Sequence, residues 1–473
     1  MAAASIEITP PEGGDALGEV ALTDPAEVPA IAAAAAEAQT GWRRLPLAER
    51  AAVLERAADD LEPEAGALAE LLARESGKPI GQSRFEIGGA VGLLRGNAIE
   101  GRRIGGRVLP TEGSTGTEWD LALTRREPLG VVAAILPFNF PVELFVEKCA
   151  AALVAGNAVV AKPPLEAPLA VGRFGEALVE AGVPAAAIAL VQGDAEVGAA
   201  LATDSAVGAV SLTGSTGAGV AVAKATAETL RPLHLELGGN NACLVLADAD
   251  LDLVVAEAVR GRLMMNGQAC SATKRIIVAR SLHDELAERL AEAARAQVVG
   301  PAIEQETTVG PLINARAAGN VADQVGEAVS QGARLAAGEA GADGAYFPPA
   351  VLAATPPDAG VASGVEIFGP VFTLIPVDDA EQALRIANDS PFGLMGSVFS
   401  EDLELAWDLA ERLETGGVVI NGSDNYRPPV IPFGGVKMSG RGREGLGYTI
   451  EELSREKTIV LRRFRGGPGG GRG

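Results

Sequence analysis

The sequence predicts an α/β protein built on open, mainly parallel sheets and divided into more than one domain. From Gly130 onward, short apolar runs alternate with stretches of helical periodicity, the pattern of strands joined by helical crossovers. The same alternation resumes after residue 240. The length of 473 residues suits about two or three domains, and 48% hydrophobic residues are enough for large cores.

Taken in order, residues 1–20 read as a short strand with turns. From Pro25 the chain is Ala-rich, and apolar residues at three- and four-residue spacing predict helices over Glu27–Gln39, Leu47–Leu61 and Pro63–Ser76. Gly77-Lys78-Pro79 stops that run, and a further helix follows over Ile80–Glu100. Val131–Leu136 is a buried strand ended by Pro137. Pro141–Leu153 is a helix, Asn157–Ala161 a second strand broken by Pro163-Pro164, Leu165–Ala181 a helix and Ile188–Gln192 a strand. The apolar run Val207–Leu212 leads through a glycine-bearing turn to a helical stretch, Val220–Leu230. Further on, Val245, Ile276–Val278, Val371–Ile375 and Val418–Ile420 mark strand centres. Helices fill Leu251–Met265, Leu282–Ala296, Ala315–Gln331 and Asp379–Ala387. Glu451–Arg462 is extended, with Thr458–Leu461 its strand-like part, and the Gly-rich stretch 466–473 is expected to be disordered. No internal repeat is visible.

Composition narrows the function. There are 39 Lys and Arg against 62 Asp and Glu, a formal net charge of −23. Such a chain repels phosphate backbones and anionic membrane surfaces, so neither nucleic acid nor a membrane is an expected partner. Three cysteines make no disulfide framework and suit a reducing compartment. Two histidines, His234 and His283, argue against a multi-histidine metal site or a histidine-based triad. The longest apolar stretch, Cys149–Ala161, is interrupted by Gly156 and Asn157 and is too short to span a bilayer. The first ten residues lack a basic region before an apolar core, so no signal peptide is read there and a cytoplasmic protein is expected.

Six segments could carry chemistry. Gly214-Ser215-Thr216-Gly217-Ala218-Gly219 lies between a strand and a helix, where backbone amides and the helix N-terminus favour an anion; alone it is equally a tight turn of small residues. Cys270, in Gly267-Gln268-Ala269-Cys270, is flanked by small residues on a loop and suits a nucleophile. Cys149 and Cys243 sit in apolar patterns and read as buried hydrophobes. Glu236 ends an apolar strand before Gly238-Gly239; desolvation there would raise its pKa and suit general-base work, a strand-end salt bridge being the alternative. His234 reads as structural. Asn139, in Pro137-Phe138-Asn139-Phe140-Pro141, places an amide at a strand-to-helix turn, either as an oxyanion donor or as a helix cap. Glu366-Ile367-Phe368-Gly369-Pro370 and the segment Pro432 to Gly440, with Phe433, are ambiguous one by one.

Together, in this order, the segments resemble the NAD(P)-dependent aldehyde dehydrogenase superfamily over roughly residues 15–462. The resemblance implies a Rossmann-like cofactor domain (1–115 and 129–239), an α/β catalytic domain (240–445) and a small bridging strand element (116–128 and 446–465) used to form a homodimer or homotetramer. It implies NAD or NADP as cofactor and a small aldehyde as substrate. Cys270 matches the nucleophile that forms a thiohemiacetal, and Asn139 with the Cys270 backbone N–H matches the oxyanion hole. After hydride passes to the nicotinamide, Glu236 matches the base that activates water against the thioester. Lys162 and Glu366 match residues that hold the riboses, and Phe368 lies near the nicotinamide. Gly214, Ser215 and Gly219 match the pyrophosphate turn, with Pro137 and Phe138 on the same side of the site. Relatives selective for NAD often carry a Glu where this chain has Leu165, the carboxylate coming one residue later at Glu166, so NADP stays open. Phe138 stands where Trp is frequent.

On the substrate side, Phe140, Glu143, Leu144 and Glu147 fall on one helical face that borders the substrate funnel in the family. Its two carboxylates disfavour anionic aldehydes. Arg427 and Phe433 lie in or beside the loop opposite, and Arg427 suits a substrate carboxylate or phosphate, a Glu–Arg salt bridge being the alternative. Semialdehydes and lactaldehyde-like aldehydes are the expected substrates. A CoA-acylating enzyme or a non-catalytic scaffold of the same fold are the competing readings; a secondary esterase activity is a further expectation.

Overall fold

The computed structural model describes residues 4–464, and the expectation for 466–473 lies outside them. Two central sheets carry the molecule. The first has six strands in the order Gly440–Arg441, Leu233–Glu236, Val207–Thr213, Val131–Ile135, Ala158–Lys162 and Ile188–Leu190, parallel except for the antiparallel pairing of Gly440–Arg441 with Leu235 and Glu236. The second has seven, in the order Arg334–Ala337, Ala350–Ala353, Val371–Val377, Arg275–Ala279, Ala242–Val245, Met395–Phe399 and Gly417–Ile420, parallel except at the Arg334–Ala337 edge. Helices cover both faces of these sheets, which is why strands such as Val131–Ile135 and Ala158–Lys162 read as unbroken apolar runs. A third, antiparallel sheet joins Ser454–Leu461 to Leu121–Pro128 and then to Val108–Leu109. Its strands therefore come from both sides of residue 115.

The helices follow their sequence signals closely. Leu47–Leu61 has the predicted bounds, and Ile80–Gly101, Arg280–Arg295, Ala315–Ser330 and Ala380–Asn388 differ by a residue or two at either end. Pro141–Ala155 starts with Pro at its first position and ends at Gly156 in the left-handed region (φ 97°). Its first amides, Val142 and Glu143, donate to the buried Glu86 carboxylate at 3.0 and 3.2 Å. The helix expected over Leu165–Ala181 starts only at Leu169: the chain leaves the strand through Pro163 and Pro164, bends over residues 165–167, and Pro168 is the cap residue. The Glu75 carboxylate then caps it, accepting from Leu169 N and Ala170 N at 2.8 and 3.0 Å. The helix after the glycine-bearing turn starts earlier than expected, at Thr216, with Ser215 as its cap. Leu251–Leu263 stops short of Met265, which adopts a left-handed backbone together with Asn266 and so turns the chain into the Gly267–Cys270 loop. Glu451 and Glu452 belong to a short helix, Tyr448–Glu452, and only Ser454–Leu461 is strand. The helices Ala195–Thr203 and Leu403–Arg412 and the strands Arg334–Ala337, Ala350–Ala353 and Met395–Phe399 were not anticipated. Among the described residues no helix is long and apolar enough to cross a membrane.

Asn157 joins three parts of this framework. Its carbonyl accepts from Leu129 N and Gly130 N at 2.7 and 3.1 Å, and its amide donates to Ala152 O and Leu453 O at 3.0 and 2.9 Å. Asn157→Ala strands these buried backbone groups without partners, and a destabilisation of about 3 kcal/mol is expected, read as a lower unfolding midpoint in urea.

Candidate active site

A large cavity, about 770 Å³, opens at the carboxyl ends of the six-stranded sheet, where ligands gather in open α/β folds. Each contributing strand delivers its last residues to the wall: Pro137, Phe138 and Asn139 follow Val131–Ile135, Lys162 ends Ala158–Lys162, Gly214 and Ser215 follow Val207–Thr213, and Glu236 ends Leu233–Glu236. Leu165 and Glu166 line it from the bend before the next helix. Cys270, Glu366 and Phe368 close it from the segments flanking the seven-stranded sheet. Twelve of the expected catalytic and cofactor residues thus meet in one space. Gly219 does not line it. Its helix packs so tightly on Leu237 that an added Cβ would sit 2.5 Å from a Leu237 methyl. The Gly214 amide is also committed to the sheet, donating to Glu236 O at 3.0 Å. The remaining anion-facing feature is the start of Thr216–Thr226, capped by Ser215 Oγ, which accepts from Ala218 N at 3.2 Å.

The loop that presents Cys270 is held from every side. Asn266 Nδ2 donates to Gly77 O and Pro311 O at 2.9 and 2.8 Å, and Gln268 Oε1 accepts from Ile313 N at 3.1 Å. Asn139 Nδ2 donates to Gln268 O at 2.8 Å, while its Oδ1 accepts from Phe140 N at 3.1 Å. Asn139 is therefore a clamp on the cysteine loop and not the helix cap its position also suggested, since the first amides of Pro141–Ala155 go to Glu86; its amide carries a second hydrogen. The Cys270 carbonyl accepts from Asn241 Nδ2 at 2.9 Å and from Lys274 Nζ at 2.7 Å.

Cys270 is half-buried and lines the cavity together with Glu236, and the two groups act on each other electrostatically. Burial pushes the thiol well above its ordinary range, and the negative Glu236 adds to this, opposed by Lys274 and Arg427. Glu236 is 2% exposed, and its Oε1 has no partner among the described residues. Burial pushes its carboxyl up to about 8, with Glu444 adding repulsion and Arg427, Lys148 and the thiol opposing. A carboxyl so placed changes protonation within the working pH range, as a general base must. Behind it, Glu444 is fully buried and paired at 2.6 Å with Lys148 and at 2.8 Å with Arg427. His234, bonded to Ser211 Oγ at 2.9 Å and pushed down to about 4 by burial, is a neutral packing group. Glu366 pairs with Lys274 at 2.8 Å, and Phe368 stands edge-on to Phe138 with ring centroids 6.0 Å apart.

The substrate-side expectations divide. Arg427 stacks over Phe433, its Cζ 4.0 Å from the ring centroid, and Phe433 in turn packs in a small cluster with Leu394, Met395 and Cys270. These residues meet at the nucleophile but do not line the large cavity. The alternative of a Glu–Arg pair holds for Arg427, with Glu444 as the partner and not a carboxylate of the expected helix face. On that face Leu144 is buried, and Glu147 is buried and committed, accepting from Gly445 N at 2.8 Å and from the Thr449 hydroxyl. Phe140 lies under the buried Lys78 ammonium at 4.0 Å. Glu143 is half-buried, with its carboxyl pushed up to about 7, chiefly by burial. The face therefore presents less negative charge than its sequence suggests.

Lys274, Asn241, Glu444 and Lys148 were missed by sequence reading. Lys274, four residues after Cys270, and Asn241, two after Gly239, lie just beyond recognised segments, so proximity was an available signal for both. Lys148 lies in an apolar helix and had no local signal. Cys149 and Cys243 are fully buried, and burial pushes both thiols far up. Iodoacetamide should therefore label one thiol in the native protein and three after unfolding, counted by intact mass.

A profile of the aldehyde dehydrogenase family matches residues 1–459. Glutarate-semialdehyde dehydrogenase of Pseudomonas putida is 36% identical over 459 residues, 97% of this chain and 94% of that protein. 3-Sulfolactaldehyde dehydrogenase of Priestia aryabhattai is 37% identical over 414 residues, 87% of this chain and 86% of that protein. The structure of a glyceraldehyde-3-phosphate dehydrogenase from Methanocaldococcus jannaschii, complexed with NADP, superposes with a TM-score of 0.91 at 33% identity, covering 96% of this chain and 98% of that one. Arranged around the same wall of one cavity, the thiol, the buried carboxylate and the amide have a family to match: the chain belongs to the aldehyde dehydrogenase family.

Proposed function

We propose that this protein oxidises a short aldehyde bearing an anionic group to its carboxylic acid, with NAD or NADP as acceptor. The observation that carries the reading is the meeting of Cys270, the buried Glu236 carboxyl and the Asn139 amide at the wall of the large cavity.

The cavity's residues fit a nicotinamide dinucleotide. Its volume of about 770 Å³ suits a ligand of that size. Gly238 leaves room for the Glu366 carboxylate, into which any Cβ at that position would run. Lys162 and Glu366 would hold the riboses, the Ser215-capped helix start would face the phosphates, and Phe138 with Phe368 would wall the nicotinamide end. Leu165 offers no carboxylate at the adenosine end, but Glu166 and Asp194 stand near Lys162. A 2′-phosphate there meets one cation and two carboxylates, and parallel calorimetric titrations with NAD and NADP decide between the two cofactors. When bound, the oxidised nicotinamide supplies the hydride acceptor.

The chain's own groups do the rest. The thiol proton passes to Glu236 as sulfur adds to the carbonyl carbon, and the oxyanion is held by the second Asn139 amide hydrogen and the Cys270 backbone N–H. Once the thioester has formed, Glu236, having released its proton, takes one from water. The water oxygen attacks the acyl carbon, and the Cys270 thiolate leaves. Glu236 favours water over CoA as acyl acceptor.

Arg427 supports the anionic substrate. Glu444 and Phe433 hold its guanidinium beside Cys270, leaving donors for a second carboxylate, sulfonate or phosphate. The similar proteins act, by their names, on glutarate semialdehyde and 3-sulfolactaldehyde, both anionic. The edge strand Ser454–Leu461 exposes Ile459, Val460 and Leu461, which supports a homodimer or homotetramer, tested by light scattering. Three thiols without disulfides support a cytoplasmic setting.

Three outcomes are expected. Glu236→Gln lowers steady-state turnover by about 10²–10³ while keeping a stoichiometric burst of reduced cofactor, because acylation outlives the loss of the base. In the wild type, deacylation rises with pH through about 8, since the ionised carboxylate is the active form, and the Gln variant loses that limb. Arg427→Ala raises KM for succinic semialdehyde about 10- to 100-fold but leaves KM for propanal within about twofold, and Arg427→Lys restores part of the loss. Equal effects on both aldehydes would overturn the anion-binding role.

A further inference from the structure

Lys274 stands out because it touches two parts of the site that otherwise share no bond. Its side chain is 1% exposed, and its ammonium has three acceptors: Ala269 O at 2.9 Å, Cys270 O at 2.7 Å and Glu366 Oε1 at 2.8 Å. An ammonium has three hydrogens, so its donors are fully used. Two acceptors belong to the nucleophile's own loop and lie out of a ligand's reach. The third, Glu366, has a side chain 19% exposed at the cavity wall, where it also accepts from Gly239 N at 3.3 Å.

We propose that Lys274 is a positioning residue that couples occupation of the dinucleotide cavity to the reactivity of Cys270. The inference rests on the cofactor reading above. When ribose hydroxyls donate to the Glu366 carboxylate, they take up part of the negative charge that now neutralises Lys274. The ammonium stays fixed by the two loop carbonyls, and more of its field falls on the sulfur. The charged groups facing Cys270 are Glu236 from the end of its strand, Glu366 from the segment before Val371–Val377, Arg427 from the loop before Pro432, and Lys274 itself. Glu236 and Glu366 favour the thiol; Lys274 and Arg427 favour the thiolate. Engaging Glu366 removes weight from the first pair only.

The test uses ADP-ribose and its 2′-phosphate, which carry both riboses but neither the charge of the nicotinamide nor its bulk over the thiol. The pH profile of Cys270 alkylation by iodoacetamide is measured with and without each, after calorimetry has established binding. In the wild type the better-binding compound should raise the rate at pH 7 about tenfold, a shift of one unit in the profile. Lys274→Met should bind the compound yet show no rise, and Lys274→Arg should retain it. Glu366→Gln, which leaves the lysine's loop contacts in place and does not depend on the Met variant folding, should react at the liganded wild-type rate with or without ADP-ribose. A rise of wild-type size in Lys274→Met overturns the proposal, as does a bound wild type with an unchanged profile, or a Glu366→Gln protein that reacts at the unliganded wild-type rate. Failure of the wild type to bind either compound overturns the cofactor reading and the coupling together, and calorimetry separates that result from the others.

Discussion

Glu236 keeps its carboxyl where water barely reaches, its Oε1 unpartnered among the described residues and Cys270 on the same cavity wall. An isolated charge in such a place would cost several kcal/mol. Around it the chain arranges Glu444, Lys148 and Arg427, two cations and one anion, a single net positive charge that an ionised Glu236 balances. The carboxyl is thereby poised between its two forms. The thiol's own protonation depends on which form Glu236 takes, and the stacking of Arg427 on Phe433 ties the same charge set to the small cluster packed against Cys270.

Buried carboxylates also organise the frame that carries the site. Glu86 and Glu75 each accept two backbone amides at the start of a helix, Pro141–Ala155 and Leu169–Glu180 respectively. Both are favoured by the positive end of the helix they cap. The first fixes the turn that holds Asn139. The second fixes the approach that carries Leu165 and Glu166 along the cavity. A carboxylate borrowed from the adjoining helical layer substitutes for the Ser, Thr or Asp cap that neither helix has in its own sequence.

Much of this was legible beforehand. Val131–Ile135 and Ala158–Lys162 were readable because strands buried on both faces must be apolar throughout. Cys270, Glu236 and Asn139 were readable because each stands at a break between an apolar run and a glycine or proline, the places where a side chain reaches a cleft. The missed elements have the opposite character. Arg334–Ala337 is a polar edge strand, and Ala195–Thr203 is a short helix of small residues with little periodic contrast. Glu147 was assigned to a substrate-facing stripe because helical spacing gives a face, not its direction. Its partners, Gly445 and Thr449, lie some three hundred residues away in sequence.

By itself the sequence determined the α/β class, most helix ends and the set of residues proposed to react. These follow from periodicity, from the φ limits of proline and glycine, and from where apolar runs stop, all of which are properties of neighbouring residues. Tertiary structure alone decided which charges meet. Lys148 pairs with Glu444 across 296 positions, Lys274 meets Glu366 where the chain enters two neighbouring parallel strands, and Gly219 faces a leucine in place of a ligand. Charge pairing and desolvation act through distance in space, and a buried group takes its chemistry from whatever the fold brings within a few ångströms of it.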